Sequence, residues 1–177
     1  MTALQTKPTH EPAEPWLPAN ADASPSEPDT YLTVELAGQI FAIDVADVRE
    51  ILDMQPISRL PNAPSDLIGM IDVRGEGIAI LDLPSRLGLE RLRTRAESRI
   101  VVLELGRAPR HPVGVIADRV LSVVAVTADG IEPAPATLTH WRSDALVGIV
   151  RIGEQLTMVL ALERLFAADA PGPFDFG

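Results

Sequence analysis

The sequence contains no cysteine, and this absence excludes disulfide bonds, thiol nucleophiles and cysteine-ligated metals together. Aromatic residues make up only 4% of a chain that is 46% hydrophobic, so a core has to be built mainly from aliphatic side chains. No apolar run reaches the roughly 18 residues needed to cross a bilayer. The first residues also lack the charged-then-apolar order of a signal peptide. We therefore predict a cytoplasmic protein with no direct membrane insertion.

Positive charge and catalytic groups are also scarce. The net charge of −10 argues against binding to nucleic acid, which needs a clustered basic face. The histidines (His10, His111 and His140) lie far apart, and none has a second good metal ligand three or four residues away. A hairpin could bring Asp72 and Asp82 together, but their flanks are typical of ordinary strand positions. We predict no metal site, no cofactor and no enzymatic activity.

The sequence repeats itself once. Residues 67–87 align without a gap with residues 146–166, so that Leu67 pairs with Leu146 and Gly69 with Gly148. A weaker similarity relates residues 34–52 to residues 103–124. Two copies are too few for a solenoid and indicate paired subdomains.

The pattern of apolar residues predicts a mainly β protein. The pair Ala37–Gly38 is suited to a tight hairpin turn. A second turn is predicted over Arg74–Gly75–Glu76–Gly77, whose two glycines permit positive φ angles. Many short strands punctuated by Gly and Pro are typical of small barrels. The predicted strands are 31–36, 39–45, 66–73, 78–83, 100–105, 113–116, 120–126, 145–152 and 155–160. Short helical turns are predicted at 44–50, 83–87 and 162–167.

The two ends of the chain differ from its middle in composition. Residues 1–29 are rich in proline and acidic side chains and are predicted to be a disordered tail. Residues 168–177 are predicted to be a flexible C-terminal tail. Between them, residues 30–167 form one domain of two interleaved subdomains, roughly 30–95 and 96–167. The Arg-rich stretch Arg86–Arg99 joins the two copies and either contacts an acidic partner or is a solvated connection.

Positions that differ between the copies are candidates for function, because shared positions mostly build the scaffold. Copy one alone carries the charged side chains Arg49, Glu50 and Arg74 beside apolar Val48. A charged rim around an apolar strip suits a partner-binding groove. The alternative is a set of solvated turn and strand-end charges. In copy two, the apolar run at 120–126 either presents a hydrophobic surface to another protein or is buried in the core.

Several segments together resemble a known family. FAIDVADVREIL (41–52) and RLPNAPSDLIGMIDVRGEGIAILDL (59–83) resemble CheW, the coupling protein of bacterial chemotaxis. HPVGVIADRVLSVV (111–124) and the segment 131–166 fit the same family. The resemblance covers about residues 30–167.

The resemblance implies two five-stranded SH3-like barrels packed together, with the receptor site in the groove between them. It implies no catalytic activity and two partners: the regulatory domain of a CheA-type histidine kinase and the cytoplasmic tips of methyl-accepting chemoreceptors. It also implies that Arg74 holds the two subdomains in register by pairing with an acid. The implied receptor-binding residues are Val48, Glu50, Gly69, Arg74 and Gly75. The apolar run of copy two supplies Val120, Val123 and Val124 as kinase-binding candidates.

We therefore predict a non-enzymatic chemotaxis adaptor that is recruited from the cytoplasm to membrane-associated receptor arrays. The alternative is a CheW-like scaffold of a system that controls pili, gene expression or polar localisation.

Overall fold

The computed structural model describes residues 27–90, 94–105, 111–135 and 145–167. These residues form ten strands and two short α-helices, which confirms a mainly β protein. The predicted tails fall almost entirely outside the described residues, although β1 already begins at Asp29. The strands are β1 (Asp29–Leu36), β2 (Gln39–Asp44), β3 (Val48–Asp53), β4 (Leu67–Val73), β5 (Glu76–Leu81), β6 (Arg99–Leu105), β7 (His111–Ala117), β8 (Arg119–Val126), β9 (Leu146–Ile152) and β10 (Gln155–Leu160). The helices are α1 (Leu83–Arg86) and α2 (Leu162–Ala167).

The strands form two five-stranded sheets with the same internal order. Sheet A has the order β8-β1-β2-β10-β9, and sheet B has the order β3-β6-β7-β5-β4. The β2–β10 and β5–β7 pairs are parallel, and the remaining pairs are antiparallel. Each copy of the repeat therefore gives its first two strands to one sheet and its last three to the other.

The boundary predicted between residues 95 and 96 is wrong as a division of the two sheets. Sheet A combines residues 29–44 with residues 119–160, and sheet B lies between residues 48 and 117. The reason is long-range pairing: β1 pairs with β8, and β2 with β10. Neither half of the sequence contains a complete sheet.

Strand β3 occupies residues that the sequence pattern assigned partly to a helical turn. Only Val45–Asp47 form a turn of 3₁₀ helix, and the side chain of Asp44 caps it by accepting a hydrogen bond from Ala46 N at 2.8 Å. The following residues alternate between half-buried and exposed, with the period of two expected for a strand. Half-buried Glu50 and exposed Ile51 invert the usual order of polar and apolar side chains, and this inversion concealed the strand.

The turn predicted at Ala37–Gly38 is confirmed, and the turn predicted over residues 74–77 is two residues shorter, because Glu76 and Gly77 already pair within β5. Ala37 and Gly38 join β1 to β2, and Arg74 and Gly75 join β4 to β5. All four residues have positive φ angles, as both central residues of a type I′ turn require. This turn type matches the twist of the strands that it connects.

Three apolar clusters hold the sheets together. One lies inside sheet B and one inside sheet A, while the largest lies between the sheets and is called here the shared core. Strand β6 shows how a continuous apolar run serves two of them. Ile100 and Val102 enter the core of sheet B, and Val101 and Leu103 enter the shared core. Burial on both faces explains why this strand lacks polar alternation.

The two helices complete the shared core. Leu83 and Leu87 at α1 and Leu162 and Leu165 in α2 are buried in it. The N-terminus of α1 is capped by Asp82, whose Oδ1 accepts a hydrogen bond from Ser85 N at 3.0 Å. The helices thus seal the interface between sheets that each curl around a core of their own.

Candidate partner-binding surfaces

An ionic cluster lies on sheet B and consists of Arg49, Glu50, Arg74, Glu76 and Glu104. Arg49 Nη1 donates to Glu76 Oε2 at 2.7 Å, and Arg49 Nε lies 3.6 Å from Glu50 Oε1 and 3.8 Å from Glu104 Oε1. Arg74 Nη2 donates to Glu50 Oε1. Strand β3 and the β4–β5 hairpin lie at opposite ends of the strand order. These ion pairs therefore bridge the two ends of sheet B, where backbone pairing does not.

The cluster favours the charged form of Arg49. The hydrogen bond that Arg49 donates to Glu76 raises the pKa of the Arg49 guanidinium. Attraction to the carboxylates of Glu76, Glu104 and Glu50 also raises this pKa, and desolvation lowers it. Two guanidinium groups face three carboxylates. Arg74 is the most exposed member, with 71% of its side chain accessible. A partner approaching this surface meets fixed charges of both signs.

The structure brings four of the five predicted receptor-binding residues to this region. Glu50 and Arg74 form an ion pair, and Gly75 follows Arg74 in the exposed turn, where its N–H donates to Asp72 Oδ1 at 3.0 Å. Val48 begins β3 and is half-buried against the shared core. An apolar anchor and an ion pair thus lie on the same strand, two residues apart.

The fifth predicted residue, Gly69, is buried within β4 and supports the hairpin from behind. A Cβ atom at Gly69 would lie 2.4 Å from the carbonyl oxygen of Ser58, because Ser58 and Met70 exchange two backbone hydrogen bonds of 2.8 Å. Gly148 has the same environment in copy two, 2.4 Å from the carbonyl oxygen of Glu132. A position shared by both copies serves close packing of the backbone.

The implied role of Arg74 in holding the subdomains together is not supported by its contacts. The expected pairing with an acid is present, but Arg74 and its partner Glu50 both belong to sheet B. Polar contacts between the sheets lie elsewhere. At the β7–β8 junction, Asp118 N donates to Glu35 O at 2.9 Å, and Asp118 Oδ2 accepts from Ala37 N at 2.7 Å.

Sequence reasoning missed Arg86, which it placed in a connection between the copies. Its side chain is only 12% exposed and forms an ion pair with Asp66 at 2.6 Å. Its guanidinium carbon lies 4.8 Å from the centroid of the Phe166 ring. The signal was present in the internal alignment, where Arg86 is opposite an apolar residue, Leu165.

A shallow groove of about 340 Å³ lies between the sheets. Its lining includes Ile51 and Arg99 from sheet B and Arg119 and Val120 from sheet A. The lining thus combines apolar side chains with two arginines and one glutamate, Glu97. Val120, one of the kinase-binding candidates, lines this groove.

Strand β8 forms the edge of sheet A and exposes apolar side chains. One side of β8 pairs with β1, and the other has no strand partner within the described residues. Of the predicted kinase-binding residues, Val123 is 60% exposed, while Val120 and Val124 are half-buried against apolar clusters. Leu121 is also exposed on this strand. An exposed apolar edge is a surface that favours a partner.

Other kinds of site are not apparent in the described part of the chain. No group of three or more His, Asp or Glu side chains there could hold a metal ion. None of the described helices is long and apolar enough to cross a membrane. The larger cavity, about 450 Å³, contains one buried carboxylate, Asp82, which is engaged as the cap of α1.

Comparison with known proteins agrees over nearly the whole described fold. A family model described as the CheW-like domain matches residues 30–170. A probable chemotaxis protein CheW of Rhizobium etli is 29% identical over 136 residues, covering 77% of this chain and 86% of that protein. Chemotaxis protein CheW of Klebsiella aerogenes is 26% identical over 139 residues, covering 78% of this chain and 82% of that protein.

A solved structure shows the same similarity. The crystal structure of scaffolding protein TtCheW from Thermoanaerobacter tengcongensis superposes with a TM-score of 0.70 at 26% sequence identity. The match covers 83% of this chain and 93% of that one, so it includes both sheets. The sequence match and the shared arrangement of two five-stranded sheets lead to the same conclusion: this chain belongs to the CheW-like family.

Proposed function

We propose that this protein is a non-enzymatic adaptor that couples methyl-accepting chemoreceptors to a CheA-type histidine kinase. The observation that carries the proposal is the CheW-like match over residues 30–170, which takes in the strands of both sheets. The relatives that it matches are named chemotaxis proteins CheW, and the solved one is named a scaffolding protein. An adaptor needs two separate contact surfaces, and the fold offers one on each sheet.

The receptor surface is formed on sheet B by the ionic cluster and the apolar side chains beside it on β3. Val48 and Ile51 supply apolar contact, and Glu50 and Arg74 supply paired charges that fix the orientation of a partner. Gly75 keeps the turn that presents Arg74. Gly69 contributes indirectly, by allowing the hairpin to pack against Ser58.

The kinase surface is the exposed edge of β8, with Val123 at its centre. An unpaired edge strand offers backbone donors and acceptors as well as apolar side chains, which suits the regulatory domain of the kinase. Because β8 belongs to sheet A and the ionic cluster to sheet B, both partners can be held at once. Recruitment of the protein from the cytoplasm to receptor arrays follows from these two contacts.

The test is to separate the charge of Arg74 from the turn that it occupies. Arg74→Asn keeps a residue suited to the type I′ turn, because Asn-Gly is favoured there, but removes the guanidinium. We expect receptor-dependent kinase activity to fall about tenfold in a reconstituted system, since losing a central charged contact costs on the order of 1–2 kcal/mol. Arg74→Glu, which also repels Glu50, should lower it further.

Two controls make the Arg74 test decisive. The free energy of unfolding of Arg74→Asn should stay within about 1 kcal/mol of the parent value, because exposed ion pairs contribute little. Arg164→Asn, which removes an exposed arginine from α2, should leave receptor-dependent activity unchanged. Normal activity of Arg74→Glu in the same assay would refute the proposed receptor surface.

A further inference from the structure

One backbone contact beside the shared core occurs in both copies of the repeat. The backbone contact Asp82 N to Asp66 O (2.8 Å) in copy one is repeated by Ala161 N to Ala145 O (2.8 Å) in copy two. The side chains at this repeated contact differ. Copy one carries the ion pair Asp66–Arg86, and the aligned residues of copy two are Ala145 and Leu165.

The apolar pair of copy two shows that charge is not required at this position. Ala145 and Leu165 are both buried in the shared core, with 1% and 4% of their surfaces exposed. The Arg86 side chain is 12% exposed and that of Asp66 is 25% exposed. Replacing a mostly buried ion pair with packed apolar residues is often neutral or stabilising. The Asp66–Arg86 pair therefore calls for an explanation other than stability.

Arg86 is placed to fix how the two sheets lie against each other. It ends α1, which follows β5 of sheet B, and its guanidinium lies 4.8 Å from the ring centroid of Phe166 in α2, which follows β10 of sheet A. Asp66 holds the same guanidinium from the sheet B side at 2.6 Å. The guanidinium thus contacts both halves of the molecule at once.

Leucine contacts alone do not define a unique alignment of two surfaces. Burial of apolar area is non-directional, so a small shift between the helices changes its free energy little. A planar guanidinium that is held by a carboxylate and stacked on an aromatic ring has a preferred direction in both contacts. A shift of one helix relative to the other therefore raises the free energy of the guanidinium contacts, although it changes that of the leucine contacts little.

We propose that Arg86 is a positioning residue that sets the register of sheet A on sheet B. The functional consequence of this register rests on the proposed function. The register fixes the distance between the receptor surface on sheet B and the kinase surface on sheet A. Loss of Arg86 leaves each surface intact but misplaces one relative to the other. Signal transfer then fails although both partners still bind.

The test is a double substitution that gives copy one the side chains of copy two. Asp66→Ala with Arg86→Leu should fold, because the aligned pair packs in the same shared core. We expect the affinities for the kinase regulatory domain and for a receptor fragment, measured separately, to stay within about twofold, since neither surface contains these residues. Receptor-dependent kinase activation should fall roughly fivefold or more. Unchanged activation, or a parallel loss of both affinities, would overturn the proposal.

A distance measurement tests the register without any partner. The chain has no cysteine, so Glu97→Cys on the sheet B side and Arg151→Cys on β9 of sheet A can be spin-labelled specifically. Electron paramagnetic resonance should give one narrow distance distribution in the parent and a shifted or broadened one in the double variant. An identical distribution would overturn the role of Arg86, whatever the partners prove to be.

Two further variants serve as controls for the distance measurement. Arg49→Leu with Glu76→Ala removes an ion pair of 2.7 Å that joins β3 to β5 within sheet B, away from both labels, and should not change the distribution. Phe166→Leu, which copies the aligned Leu87, should reproduce part of the broadening. If the parent protein binds neither partner, the proposed function fails while the distance result still decides the register.

Discussion

Gly69 and Gly148 make the same close backbone contact in the two copies. Because both copies need this glycine, its role is structural and is not specific to receptor binding. In each case a Cβ atom would lie 2.4 Å from a backbone carbonyl oxygen, which cannot move without breaking a bridge between a loop and a strand. The resemblance to CheW placed Gly69 among receptor-binding residues, but the residue is buried. Its effect on binding has to act through the hairpin that it supports.

We predict that Gly69→Ala and Gly148→Ala each lower the free energy of unfolding by about 2–3 kcal/mol, as other overpacked sites do. Chemical denaturation measures this directly. Gly38→Ala is the control, because its Cβ meets no atom within 4 Å and only its positive φ is penalised, by about 1 kcal/mol. A Gly69→Ala protein of parental stability that lost receptor binding would instead show that Gly69 contacts the receptor.

Single residues were predictable from sequence where the two copies differ in a turn or on an exposed strand. Glu50 and Arg74 were identified as a charged set, and the structure joins them in an ion pair. Arg86 was not identified, because a single arginine next to other arginines suggests a solvated segment. Its carboxylate partner, Asp66, lies twenty positions earlier, and nothing local in the sequence indicates their contact.

At the level of elements, hairpins were predicted well and edge strands less well. A hairpin is defined by its own residues, since a turn pair such as Ala37–Gly38 and its flanking strands are contiguous. Strand β3 depends on β6, which pairs with it from a distant part of the chain. Its half-buried Glu50 is compatible with burial because Arg74 and Arg49 neutralise it. Such compensation is a tertiary effect that local patterns do not contain.

The two edges of sheet A provide an element-level prediction. Val123→Lys on β8 should weaken binding of the kinase regulatory domain about tenfold or more in calorimetric titration, because an exposed apolar anchor is replaced by a hydrated charge. Stability should change by no more than about 0.5 kcal/mol, since lysine is well tolerated on exposed edge strands.

Val147→Lys is the matched control for this substitution. Val147 is a valine of the opposite edge strand, β9, and is 44% exposed, compared with 60% for Val123. We expect the Val147→Lys protein to bind the kinase regulatory domain with the affinity of the parent protein. Equal weakening by both variants would indicate a general effect of charge and would remove β8 as the kinase surface.

For the whole molecule, the repeat and two interleaved subdomains were predicted from the sequence, but the strands that the copies exchange were not. Matching segments show that two similar units exist, but they do not determine which unit contributes which strands to each sheet. The decisive contacts are β1 with β8 and β2 with β10. These contacts join distant residues, so the predicted boundary at residue 95 followed the order of the sequence and missed the order of the sheets.

The strand exchange predicts that neither repeat is stable alone. Fragments 1–95 and 96–177 each contain strands of both sheets and only part of the shared core. We expect each fragment to lack a cooperative thermal transition in circular dichroism, and an equimolar mixture to recover one. The intact chain should unfold in a single step, because the shared core ties the sheets together. Cooperative unfolding of either isolated fragment would contradict this view.

The same topology imposes an order on biosynthesis. Sheet B can close once Ala117 has left the ribosome, but sheet A has to wait until Leu160 has been made. Until then, side chains of the β1–β2 hairpin that are buried in the folded protein, such as Val34 and Phe41, lack part of their core. The outer edges of the hairpin also lack their partner strands, β8 and β10. Such edges favour aggregation in a partly made chain. Early completion of sheet B gives the β1–β2 hairpin an apolar surface to pack against, because both contribute to the shared core. We expect this packing to protect the nascent protein against aggregation during the interval.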